Sequence, residues 1–390
     1  MNRFEEIETI GDGAFGIVTK CRDKQTGELV AIKKMKQKYS SFEECLQLKE
    51  VKSLRRMKHE NVIRLLQVFR ENGYLYLVFE LGEKSLLRTI NEKGSYTEPE
   101  VKSIMKQIFS GLAYIHRQGF FHRDIKPDNL LWKGDKLKIA DFGLAREIRS
   151  MPPYTEYVST RWYRAPEIIL KSPNYNSPVD IWAAGVIMAE LYTGKPLFPG
   201  ISEQDQLYKT IAILGSPNSK NWPDGIRLAN KHGVRFNPTP SVNLATIIPN
   251  ASKNAINLLQ QLLQYDPSKR PSASQALQHP FFQVEPDPPP VTSTTINNES
   301  DLNTQLENSK EPSLETLLNQ IMTSPSNNHK NKKGLNAKEK PLKAISYKEN
   351  ILKNMNQFEE QFSDKKPQNR FKLSGPTSQF SDDIDFDSLL

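Results

Sequence analysis

The chain has 390 residues, 37% apolar and 25% charged, and its 53 Lys and Arg against 45 Asp and Glu give a net charge of +8. Cys21 and Cys45 are too few for a disulfide framework or a four-ligand zinc site, and the longest nearly apolar run, Ile181–Leu191, is too short for a bilayer and interrupted by Glu190. Membrane-spanning, collagenous and disulfide-stapled classes are excluded, no apolar leader follows Met1, and a reducing compartment, cytoplasm or nucleus, is expected. Length alone suggests two or three domains at ~150 residues each, and the positive balance raises a nucleic-acid partner for consideration.

In chain order, Ile7 and Ile10 lead into Gly11-Asp12-Gly13-Ala14-Phe15-Gly16-Ile17-Val18. Glycines at this spacing let backbone amides approach a polyphosphate, but the same pattern serves dinucleotide folds and plain hairpin turns. A dinucleotide site needs a helix at the third glycine; here Ile17-Val18-Thr19 continues as a strand. Leu29–Lys33 and Leu75–Phe79 are strands of β-rich composition. Between them, Cys45, Leu48, Val51 and Leu54 drift at three-residue steps, predicting a helix over 42–57 that offers Glu50 as ion partner to Lys33.

After Thr97-Glu98-Pro99-Glu100 a helix is expected with Val101, Ile104, Met105, Ile108, Leu112 and Ile115 on one face, and Ile181–Leu191 reads as a buried helix. Between these helices lie His122-Arg123-Asp124-Ile125-Lys126-Pro127-Asp128-Asn129, Asp141-Phe142-Gly143 and Ala165-Pro166-Glu167. Each is ambiguous alone; the order of glycine loop, strand lysine, helix glutamate and these three motifs is not.

The ordered set resembles the protein kinases over residues 4–282. The resemblance implies an α+β, bilobal protein kinase fold: a small β-rich N-lobe over about 4–80 and a larger helical C-lobe over about 83–282. Asp124 is then expected to accept or orient the proton of a substrate hydroxyl. Lys126 would neutralise the migrating phosphoryl group and point to serine/threonine substrates. Asn129 and Asp141 would bind Mg2+, and Lys33, paired with Glu50, would meet the ATP phosphates. His122 is expected to pack with Leu54, Leu65 and Phe142 as an apolar stack linking the lobes. Phe79 should back the adenine, with Glu80 and Gly82 contacting it through backbone groups. The nucleotide site is further assigned Ile10 to Val18 of the glycine loop, Ala31 and Leu131. Ser85 stands where relatives often carry Asp or Asn for the ribose, which leaves that contact open.

Thr155-Glu156-Tyr157 followed by Thr160-Arg161-Trp162-Tyr163-Arg164 resembles the proline-directed group that includes MAP and cyclin-dependent kinases. An upstream kinase would phosphorylate Thr155. By position, Lys49, Arg123 and Arg146 could receive phospho-Thr155, while Arg161 and Arg164 could receive phospho-Tyr157. Arg164 would also leave the pocket after the phosphoacceptor suited to proline. Phe42-Glu-Glu-Cys-Leu46, Gly119-Phe-Phe-His122 and Pro152–Thr160 narrow the likeness to male-germ-cell-associated and intestinal-cell kinases and the long-flagella kinases, which implies control of cilium or flagellum length. Glu156 departs from the Asp usual in the mammalian members. Residues 45–50 lack a cyclin-binding signature, so no cyclin partner is expected. Lys33, Asp124, Asn129 and Asp141 are all present, against a pseudokinase scaffold, and no reader motif supports nucleic-acid binding.

Beyond Gln283 the composition turns to Pro, Asn, Ser, Lys and Gln, and 285–390 reads as a disordered regulatory tail. Residues 1–284 carry 40 basic and 29 acidic residues, a net of +11, and the tail carries −3. Ser313 could cap a helix with the stripe Leu314, Leu317, Leu318, Ile321 and Met322; Ile351, Met355, Phe358 and Phe362 form a second stripe. Both are candidate tail-docking elements. Lys330–Lys333 reads as a solvating patch, and Ser324-Pro325 as a proline-directed phosphosite. Asp382-Asp-Ile-Asp-Phe-Asp387-Ser-Leu-Leu390 reads as a short docking motif.

Overall fold

The structure, a computed structural model, describes residues 2–13, 16–148, 160–283 and 384–385. Strands β1 (Phe4–Asp12) and β2 (Gly16–Asp23) form a hairpin around the glycine turn, and β3 (Leu29–Lys38) pairs with β2 in register Val18↔Lys33. Strand alternation sends Val30 and Ile32 to one face, where they pack with Phe4, Cys21, Phe69, Tyr76 and Val78, and leaves Ala31 and Lys33 on the other. That second face is the one that can meet a ligand.

The helix expected over 42–57 is two helices: α1 (Phe42–Leu46) and α2 (Lys49–Arg55), separated at Leu48 (φ −60°, ψ 137°). The apolar pattern itself gives the reason. Three-residue steps drift by about 60° each on a helix of 3.6 residues per turn, so an unbroken helix would put Cys45 and Leu54 on opposite faces. The break re-aims the second segment, and both side chains are buried. Ser41 caps α1 by accepting from the Glu44 amide at 3.1 Å.

Strands β4 (Leu65–Glu71) and β5 (Tyr74–Glu80) complete an antiparallel sheet in the order β1-β2-β3-β5-β4. The chain then passes through β6 (Lys84–Ser85) and α3 (Leu86–Lys93) into α4 (Glu98–Arg117), which opens on a capping box of Thr97 and Glu100. Strand β7 (Phe120–Phe121) leads to the catalytic motifs, and β8 (Leu130–Lys133) and β9 (Lys136–Ile139) form a hairpin beside β6. Strand β10 (Arg146–Glu147) returns to pair with β7, Arg146 opposite Phe121.

The larger lobe is helical: α5 (Pro166–Ile169), α6 (Pro178–Thr193), α7 (Glu203–Leu214), α8 (Pro223–Lys231), α9 (Leu244–Ile247), α10 (Lys253–Leu262) and α11 (Ala273–Leu277). In α6 every residue from Val179 to Tyr192 is buried, which explains why no polar face shows in its sequence. Among the described residues no helix is long and apolar enough to cross a membrane. The two tail stripes, Lys330–Lys333 and Ser324 lie outside the described residues. A last strand, β11 (Ile384–Asp385), pairs antiparallel with the outer edge of β4.

Candidate active site

On the nucleotide side, Lys33 is held by two carboxylates from different lobes: its Nζ lies 2.7 Å from Glu50 Oε1 and 3.2 Å from Asp141 Oδ1. Burial disfavours the ammonium, but the two adjacent negative charges prevail and raise the lysine above its ordinary value. Burial likewise opposes the Asp141 carboxylate, and Lys33 outweighs it, so that pKa is lowered. Lys33 and Asp141 thus stay charged together, a cation and an anion prepared for polyphosphate and metal.

The glycine turn closes through the Gly13 amide donating to Gly16 O at 3.0 Å; Ala14 and Phe15 lie outside the described residues. The third glycine also has a packing reason. A Cβ at Gly16 would come within 2.6 Å of Lys34 O and 3.3 Å of Lys33 Cγ. At Gly11 it would meet only Val18, at 3.7 Å, an ordinary contact. Asp12 pairs with Lys36 at 2.7 Å. Ile10, Ile17 and the partly exposed Val18 leave apolar surface at the mouth, while Ala31 is buried in β3.

At the exit of β5, the Glu80 carboxylate accepts from Lys133 Nζ (2.8 Å), Lys138 Nζ (2.9 Å) and the Arg64 amide (2.8 Å). Burial pushes its pKa up, but these donors bring it below the ordinary carboxylate range. Its own amide donates to Arg64 O at 3.1 Å, so the adenine contact expected of Glu80 narrows to the carbonyl. A Cβ at Gly82 would stand 2.8 Å from Leu131 Cβ; glycine lets the connecting segment cross directly over Leu131. Phe79, opposite Ala31 in the β3–β5 register, packs on the main core. Ser85, at the position left open for ribose, caps α3 by accepting from the Arg88 amide at 3.2 Å.

The loop from His122 to Asn129 hangs from α6. Asp180, almost fully buried, accepts from the backbone amides of His122 and Arg123, each at 2.8 Å, and from His116 Nε2 at 2.9 Å. These donors overcome burial and hold its carboxylate below the usual range. Arg123 adopts φ 75°, a left-handed backbone that a side chain tolerates only where its surroundings impose it. Next to it, Asp124 Oδ2 sits 3.0 Å from Lys126 Nζ and 3.0 Å from Asn129 Nδ2, and the same nitrogen donates to Asp124 O at 2.8 Å. The Asn129 amide is thereby oriented with its oxygen available as a metal ligand.

Asp141 also has positive φ, 62°. Its partner motif packs inward: His122 Nε2 donates to Ala140 O at 3.0 Å, and the His122 and Phe142 rings meet edge to face at 4.9 Å. Leu54, Leu65 and Phe142 are buried in one core with residues of both lobes. Asn129 and Asp141 offer oxygen donors, and among the described residues no cluster of three His, Cys, Asp or Glu stands ready for a metal. That donor set suits Mg2+, which keeps waters and phosphate oxygens in its shell.

On the substrate side a hollow beside Asp124 is lined by Arg123, Thr160, Tyr163 and Arg164. Arg164 is buried, 3.8 Å from Glu203, whereas Arg161 is exposed. Arg123 donates to Leu144 O (3.2 Å) and the Tyr175 hydroxyl (2.6 Å), and Arg146 to Ala145 O (2.9 Å). Thr155, Tyr157 and the Lys49 side chain lie outside the described residues.

Several supporting residues escaped the sequence reading. Besides Asp180, the Tyr163 hydroxyl donates to Glu190 Oε2 at 2.8 Å, and burial pushes the Glu190 carboxyl up to about 7. Glu167 receives both terminal nitrogens of Arg270, at 2.7 and 2.8 Å. The available signals were slight: two acids inside an apolar helix, and an Arg after a turn.

The protein kinase domain model matches residues 4–282. The chain belongs to the protein kinase family. Among similar kinases are the mouse serine/threonine-protein kinases MAK and ICK, each 54% identical over 286 residues, and rice cyclin-dependent kinase F-4, 51% identical over 284. Within the family the chain groups with the MAK and ICK serine/threonine kinases. The aligned region covers 73% of this chain but 46% of each mouse kinase and 62% of the rice one, so the chain spans about half the length of the mouse relatives. Protein kinases in general use ATP and Mg2+ and act on protein substrates, which accords with the oxygen donors and the lysine described above.

Proposed function

We propose that the chain is an active serine/threonine protein kinase that transfers the γ-phosphoryl group of ATP to protein hydroxyls, with a preference for proline after the acceptor. The observation that carries this reading is the Lys33 bridge, 2.7 Å to Glu50 and 3.2 Å to Asp141. It joins the strand, the helix and the metal-binding aspartate that phosphoryl transfer requires. Asp124 orients the acceptor hydroxyl and takes its proton, while Lys126, 3.0 Å away, faces the transferred group. Asn129 and Asp141 would hold Mg2+, which supplies charge neutralisation on the phosphate oxygens. Lys33 positions the phosphates behind it, and Phe79, Gly82 and Leu131 frame the base.

Regulation follows from charge. Phosphorylation of Thr155 by an upstream kinase, and of Tyr157, adds about −1.5 to −2 each, charge for Lys49, Arg123, Arg146, Arg161 and Arg164 to receive. The motif likeness to long-flagella kinases supports a role in cilium or flagellum length, acting from cytoplasm or nucleus; a signalling kinase without that role is the other reading. Asp124→Asn tests the chemistry. Transfer of labelled phosphate to a Ser-Pro peptide should fall at least about a thousandfold, while the melting temperature stays close to that of the parent. Near-normal turnover would reject the mechanism and leave a binding scaffold. Thr155→Ala with Tyr157→Phe should lower activity, and depletion in a ciliated cell should change cilium length if the cellular reading is right.

A further inference from the structure

In the N-lobe sheet, β4 is the edge strand, and an unpaired edge is a template for another strand. Here Ile384 pairs with Val68 and Asp385 with Gln67, antiparallel. The sequence of this segment suits an edge strand: Asp382, Asp383, Asp385 and Asp387 around Ile384 and Phe386. Strand polarity matters as well. From Ile384 to Asp385 the chain heads from Val68 toward Gln67, and hence toward Leu66 and Leu65.

A hollow lies in that direction, lined by Leu54, Leu65 and Leu66 together with Arg55, Lys58 and Arg64. It offers apolar surface ringed by positive charge, the complement of an acidic segment with interleaved Phe and Leu. We propose that β4 and this hollow form a docking site for the chain's own acidic C-terminus, residues 382–390, which adds as a sixth strand with Phe386-Asp387-Ser388-Leu389-Leu390 directed into the hollow. Main-chain pairing supplies affinity and the alternating side chains supply selectivity, as in strand addition generally. The 100 residues between Gln283 and Ile384 tether the segment, which keeps its local concentration far above that of a second copy at micromolar protein. The hollow is walled by Leu54 of α2, the helix that carries Glu50. The docked tail therefore braces the element on which the Lys33 ion pair depends.

Hydrogen exchange tests the assignment on the full chain, compared with a chain ending at Phe380 and with Ile384→Pro in the full chain. The β4 amides over Gln67–Phe69 should exchange about tenfold more slowly in the full chain, as loss of strand hydrogen bonds implies. Truncation and Ile384→Pro should both remove that protection, while β1 and β2 amides stay unchanged and report an intact fold. A synthetic peptide of residues 380–390 added to the truncated chain should restore it. Equal β4 exchange in the full and truncated chains would overturn the proposal. Protection that grows with protein concentration would overturn it too, by assigning the strand to a second copy.

Discussion

Replacing Arg270 with Met should be among the most damaging single changes in the C-lobe. Its two terminal nitrogens meet Glu167 at 2.7 and 2.8 Å, its Nε donates to Gln264 O at 2.8 Å, and further bonds reach Pro178 O and Tyr265 O at 2.9 and 3.1 Å. The guanidinium carbon also lies 5.0 Å from the centre of the Trp182 ring. Glu167 is 3% exposed, so truncating its partner leaves a buried charge with no counter-ion, a loss of about 3–5 kcal/mol. For a domain of this size about 2–4 °C accompanies each kcal/mol, so scanning calorimetry should show Tm falling by about 6–20 °C. Glu167→Leu combined with Arg270→Met should recover much of that loss, because the stranded charge is gone. A fall under about 2 °C for Arg270→Met, or a double variant no better than the single one, would refute the claim that desolvated charge dominates this site.

Two further outcomes follow from the geometry. Burial raises the Glu190 carboxyl to about 7, so the native state retains a proton that the unfolded chain loses near pH 4.5. Its stabilising contribution is therefore full below about 4.5 and declines as pH rises through about 7. Glu190→Gln should flatten the Tm-against-pH curve across that window; an unchanged slope would place the titration elsewhere. Gly16→Ala drives a Cβ to 2.6 Å from Lys34 O, and should cost about 1–3 kcal/mol in denaturant titrations, whereas Gly11→Ala should be milder. Equal effects would show that the third glycine serves the ligand and not the sheet.

The bilobal architecture and the residues that the fold gathers around Lys33 and Asp124 were legible because each motif is short and its residue types are dictated by charge and backbone access. Lys33, Asp124, Asn129 and Asp141 could be named from spacing and family likeness alone. What could not be read was the support behind them. Asp180 lies 57 residues from Arg123, and Arg270 lies 103 from Glu167; no local pattern joins such pairs. Buried acids in α6 look like blemishes in an apolar run until their donors are seen. The helix over 42–57 failed for a different reason. Apolar spacing registers which residues are buried, and a drift that one helix would turn onto opposite faces reads as a single element where two short ones bury both ends. The close approach of Lys34 O at Gly16 went unseen similarly, since a glycine needed for packing and one needed for a ligand are written with the same letter.

The suspension of the Asp124 loop from Asp180 has a consequence for how rigidity is distributed. One carboxylate in the most deeply buried helix sets the backbone of His122 and Arg123, and through them the place of Asp124. Lys33 is instead aligned by Glu50 on α2, a helix of seven residues. The Asp124 half of the site is thus a fixture of the C-lobe core. The Lys33 half rests on that short helix, so a shift of α2 would reach Lys33 and leave the loop of Asp124 where the core holds it.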